Sequence, residues 1–148
     1  MSQRAVKGPI RLGKPRRIGV YVVALGLWGS GVAWLVLRYG FRRAGEFGPE
    51  NSPLEPWALK LHGAFAFVAL WTMGLLWAAH ILNGWSAHRR RWSGAGLLSL
   101  LLFLTVTGYL LYYAGGDGLR ATVSSLHWIA GLGVLALFLL HRFARERP

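Results

Sequence analysis

Cysteine is absent from the 148 residues. That removes structural disulfides, thiolate metal sites, iron–sulfur clusters and the thioether attachment of c-type haem in one step. Any tightly held cofactor must rely on other ligands. Acidic residues are scarce as well: five Asp and Glu stand against 17 Lys and Arg, for a net charge of +12, and none of the five falls inside a long apolar run. The runs therefore lack the carboxylates expected along an intramembrane ion or proton path. The six prolines, Pro9, Pro15, Pro49, Pro53, Pro56 and Pro148, also avoid the apolar runs. Helices built on those runs should carry no proline kink.

What remains is apolar and basic. Hydrophobic residues make up 54% of the chain, and the mean hydropathy is +0.39. Four segments, 18–38, 57–82, 94–114 and 122–142, approach or exceed the roughly 20 apolar residues that cross a bilayer. The expected fold is all-α: an integral membrane four-helix bundle over residues 18–148, preceded by a basic cytoplasmic segment at 1–17. The first apolar run is about 20 residues, longer than the roughly 7–15 of a signal-peptide core, so it reads as a retained helix. With the N-terminus inside, segments 1–17 and 83–93 and the tail from Arg142 hold twelve Lys or Arg, while the other side holds Arg38, Arg42, Arg43, Lys60 and Arg120. This bias puts both termini in the cytoplasm. The run His88-Arg89-Arg90-Arg91 then reads as a topology determinant beside anionic lipid, with no nucleic-acid role. Trp85 and Trp92 at its edges fit a headgroup boundary.

Four of the five histidines lie in spans. His62 and His80, in the second span, are 18 residues apart, which is five helical turns and about 27 Å along one face. Between them that face carries Ala66, Ala69, Met73 and Leu76. In the fourth span His127 and His141 are 14 apart, within about 40° of one face and about 21 Å along the axis. Gly63, beside His62, and Gly131, one turn after His127, leave clearance. Histidines within spans are costly and tend to face a bundle interior. The second and fourth spans run in the same direction, so His62 faces His127 at one level and His80 faces His141 at another. An imidazole from each of two helices, opposed across a bundle core, supplies the axial ligands of an iron porphyrin. Its propionates would want cations at the boundary: Lys60 and Arg120 at the first level, Arg142 or Arg89 at the second. The first span, rich in glycine and with no charged residue short of Arg38 at its end, reads as a brace. The tyrosines Tyr109, Tyr112 and Tyr113 end the third span at the far interface. Residues 39–56, with Glu46, Glu50 and Glu55, read as a solvated, turn-rich connector.

The four-span layout, the motifs LKLHG and AAHIL on the second span, and LHWIAG and LLHRF on the fourth resemble small bacterial membrane cytochromes b. The group is that of the cytochrome b561-like and hydrogenase or formate-dehydrogenase b-type subunits, and the resemblance covers residues 18–145 at the level of pattern. It implies two b haems held by the histidine pairs, a multi-pass position in the bacterial inner membrane, and electron relay between a quinone pool and a redox partner protein or larger respiratory complex. The ligand arrangement is also similar to that of the cytochrome b of quinol-oxidising complexes, whose spacings are 13 or 14 on both helices. The 18 of the second span departs from that by about 6 Å of rise, which weighs against two haems more than against one; if only one site fills, the clearance at Gly63 and Gly131 favours the first pair. The expectation is thus an electron-transfer component of an oxidoreductase, with no catalytic side chain of its own. Two other classes stay open: a histidine-lined transporter of metal ions or protons, and a cofactor-free membrane anchor or assembly subunit.

Overall fold

A computed structural model describes residues 13–46, 48–88 and 90–143. Residues 1–12, Arg89 and the tail after residue 143, each part of an expectation above, lie outside that range. Helix α1 (Lys14–Gly40) is followed by a small antiparallel hairpin, β1 (Arg43–Gly45) and β2 (Gly48–Glu50). Helix α2 (Glu55–Leu76) passes through a π-helical turn (Trp77–Leu82) into the short α3 (Asn83–Ser86). Helices α4 (Arg91–Tyr113) and α5 (Asp117–Phe143) complete the chain. Among the described residues, four helices are long and apolar enough to cross a membrane, with the π turn and α3 continuing the second. This is the architecture of a multi-pass membrane protein.

The helices overrun the apolar segments for local reasons. Helices α1 and α2 start within a residue of Pro15 and Pro56. A proline in the first turn gives up an N–H that has no helical acceptor, and its fixed φ suits the helix. Residues 14–17 are thus helical, although the basic lead had no evident reason to fold. Helix α5 begins at Asp117, five residues before the expected span, with a carboxylate against the positive end of its dipole. The connector is also more ordered than expected. Arg43 stands opposite Glu50 in the hairpin, Gly48 takes a φ of +118°, and Arg38 from the last turn of α1 pairs with Glu55 in the first turn of α2 at 3.3 Å. Each charge of that pair opposes the dipole end nearest it.

Two helical hairpins result. Helix α1 packs along α2, and α4 along α5, while the hairpins meet chiefly through α1 and α5. Phe65 of α2 seats against the bare backbone of Gly26, the kind of small-residue contact that lets helices approach in lipid. Across the hairpins, Trp28 Nε1 donates to the Leu132 carbonyl at 3.4 Å, and Arg142 Nε donates to Tyr21 Oη at 2.7 Å. The histidine-bearing helices α2 and α5 are not among the closely packed pairs. The interior is correspondingly thin. Val123 is the one buried hydrophobic side chain among the described residues, joined by Ser30, Ser52 and Thr107.

Candidate cofactor site

The space between α2 and α5 is where the four histidines meet. At the β-hairpin end the His62 and His127 rings lie with centres 6.3 Å apart and planes at 88°. At the end that carries the helix termini, His80 and His141 lie 6.1 Å apart at 89°. The two pairs expected from the sequence are therefore both formed. The 18-residue spacing on α2 is absorbed in part by the π turn, which contains His80. Hydrogen bonds from i to i+5 wind more residues into each turn with less rise, so His80 is drawn back along the axis toward the level of His141.

The neighbouring helices decide which nitrogen each ring offers. His62 Nδ1 lies 3.0 Å from the Leu27 carbonyl and 3.2 Å from Ser30 Oγ. A carbonyl only accepts, so Nδ1 carries the proton. Ser30 in turn donates its own hydroxyl proton to Leu27, at 3.0 Å. His127 Nδ1 lies 2.9 Å from Thr107 Oγ1, whose proton goes to Phe103, 2.9 Å away. His141 Nδ1 lies 3.1 Å from Ser93 Oγ, whose proton goes to Arg90 at 3.2 Å. In each case the hydroxyl spends its single proton on its own helix and turns a lone pair to the imidazole. Nδ1–H therefore donates, and Nε2 is left with its lone pair for the partner ring. Ligating histidines in metalloproteins are commonly fixed this way.

A glycine follows each of those hydroxyls. A Cβ on Gly31 would come within 3.0 Å of His62 Cε1, while one on Gly108 or Gly94 would come within 3.3 Å of His127 or His141 Cε1. The dipeptides Ser30-Gly31, Ser93-Gly94 and Thr107-Gly108 are thus one device used three times: the hydroxyl orients the ring and the glycine lets it lie against the backbone. Ser30 and Thr107 are also two of the three buried polar residues. His80 has no such hydroxyl among the described residues. Sequence reading missed this shell because it took α1 as a brace and read α4 only for the tyrosines at its end. The visible signal was a hydroxyl-glycine step in the helices flanking those that carry histidine.

The remaining expected contributors divide. A Cβ at Gly63 would meet nothing within 4 Å, and one at Gly131 only Leu104 at 4.0 Å, so both border open room without touching a ring. Lys60 is placed over the Trp57 ring at 4.5 Å, about 200° around α2 from His62, and so points away from the pair. Arg120 is exposed two turns from His127 on about the same face. Arg142 is engaged by Tyr21. The cation nearest the second pair is Arg90, which donates to the carbonyls of His141 at 2.9 Å and Arg142 at 2.7 Å from a left-handed backbone, φ 50°. Tyr109, Tyr112 and Tyr113 are exposed.

A metal–imidazole bond is about 2.0 Å and the ring centre lies about 1.1 Å beyond the nitrogen, so two imidazoles trans on one metal hold their centres about 6.2 Å apart. Both pairs match that separation. No third His, Asp or Glu joins either pair among the described residues. Two opposed imidazoles leave a free ion short of ligands but complete a metal whose other four positions belong to a macrocycle. The donor set fits a haem. No known family model matches the chain, and no curated protein or solved structure matches it.

Proposed function

We propose that this chain is a membrane electron-transfer subunit holding two b-type haems, one at each end of the bundle. His62 and His127 would hold the first, and His80 and His141 the second. Bound there, the group supplies reversible one-electron chemistry. The protein's residues supply the rest. The hydroxyl-glycine steps hold the ligating tautomer, α1 and α4 exclude water from the outer edges of the rings, and Arg90 and Arg120 place positive charge near the two ends. The single observation that carries the reading is the repeated pair of perpendicular imidazoles at 6.3 and 6.1 Å. In this reading the chain sits in a bacterial inner membrane with its termini in the cytoplasm and exchanges electrons between a quinone pool and a redox partner protein.

The test is optical. The full chain purified in detergent should show a Soret and an α band that sharpen on reduction, and His62→Ala should halve the haem content measured as pyridine haemochrome. A colourless preparation from haem-replete cells would favour the anchor reading and overturn this one. Retention of full haem content by His62→Ala and by His127→Ala would overturn the ligand assignment.

A further inference from the structure

Resting on the haem reading, we infer that Ser30, Thr107 and Ser93 are positioning residues that set the two sites at different reduction potentials, lower at the hairpin end and higher at the end of the termini. The two sites have the same ligands but different surroundings. At the hairpin end both imidazoles donate Nδ1–H to a fixed acceptor: His62 to the Leu27 carbonyl and Ser30, His127 to Thr107. At the other end one does so, His141 to Ser93. His80, in the π turn, lacks a hydroxyl acceptor among the described residues and is exposed.

An acceptor on Nδ1–H draws the proton outward and makes Nε2 the better electron donor. A more basic ligand stabilises the oxidised metal, which carries one more positive charge, and so lowers the potential. Three acceptors act at the hairpin end and one at the other. Charge acts at both ends. Arg90 holds its guanidinium against the carbonyl of His141 itself, and a fixed cation disfavours the oxidised state of the site beside it. At the hairpin end, Arg38 is matched by Glu55 and Lys60 is turned over Trp57, while Arg120 stands exposed two turns from His127. Cations stand near both sites, so the order rests on the hydrogen bonds to the imidazoles.

The geometry also states which variants must act together. A redox titration of the purified chain, followed at the α band, should resolve a low and a high transition. Thr107→Ala and Ser30→Ala should each raise the low one and leave the high one in place. Ser93→Ala should raise the high one alone. Thr107→Ser keeps the acceptor and should restore the starting value, which separates loss of the hydrogen bond from a packing defect. ¹⁵N-histidine spectra of the wild type should show Nδ1 protonated on His62, His127 and His141. If Thr107→Ala retains its haem and moves neither transition, or moves the transition that Ser93→Ala moves, the inference is overturned. A colourless wild-type chain overturns it together with the haem reading, whereas a coloured chain with unmoved potentials overturns the inference alone.

Discussion

Three of the histidine rings depend on the residue that follows a hydroxyl on the next helix. Gly31 leaves His62 the least room, since a Cβ there would stand 3.0 Å from the ring against 3.3 Å at Gly108 and Gly94. Gly31→Ala should therefore lower haem retention more than Gly108→Ala, as read by haem per chain after size exclusion, with the loss confined to one of the two sites. Gly26→Ala acts elsewhere. It drives a methyl into the half-buried Phe65 ring, which must shift, and overpacking of this kind costs about 1–3 kcal/mol. A lowered unfolding midpoint in detergent is the expected result, with the spectrum of the folded fraction unchanged. An interhelical hydrogen bond in a membrane averages about 0.6 kcal/mol. Thr107→Ala should thus lower thermal stability little, leaving its redox signature readable. At this scale the two histidine pairs were legible, because a histidine in an apolar span costs enough to need a reason. Their hydroxyl partners were not. Ser30 and Thr107 become informative only when the helix beside each histidine is known.

Among the elements, the π turn at Trp77–Leu82 departs most from the sequence expectation. Five clean turns between His62 and His80 are what an unbroken α-helix would give, and the count of 18 then looked too long for a partner spaced at 14. The winding of the helix was the hidden variable. Nothing in WAAHIL forbids a regular helix, so the bulge reflects the tertiary fit around His80 and not local propensity. Deleting Ala79 should restore i to i+4 bonding and swing the flanking residues about 100° relative to each other. The haem content should fall by half, with the lower-potential site retained. Full retention of both haems in that deletion would show that the bulge is incidental. Arg90 is a second element-level surprise. As a member of a basic run it reads as a lipid-facing charge, yet its left-handed backbone returns the side chain to cap the end of α5. Cations at that end also suit the helix dipole. The spans themselves were legible to within a few residues, because length and apolarity set them, whereas the first turns at Pro15, Pro56 and Asp117 were set by capping chemistry.

As a whole the molecule is polar at its ends and sparsely filled in its middle. Lys14, Arg16, Arg17, Arg90, Arg91 and Arg142 gather where α1 begins and α5 ends, with Arg38, Arg42, Arg43, Lys60 and Arg120 at the opposite end. The positive-inside bias therefore predicts that a reporter fused after Pro148 is active in the cytoplasm, and that one inserted in the turn between β1 and β2 is active only when exported. Reversed activities would invert the proposed orientation. Four-helix architecture was legible from composition alone. The thin interior was not, because apolar runs look the same whether they face lipid, a neighbour or a prosthetic group. The division into two helical hairpins has a further effect. Each contributes half of every histidine pair, and the short stretch around residues 83–90 is the covalent tether between them. Were the chain severed there and the halves made separately, neither would own a full set of ligands, and pigment would develop only in membranes receiving both. The coloured group would then serve as a clasp between two pieces that otherwise meet chiefly through α1 and α5.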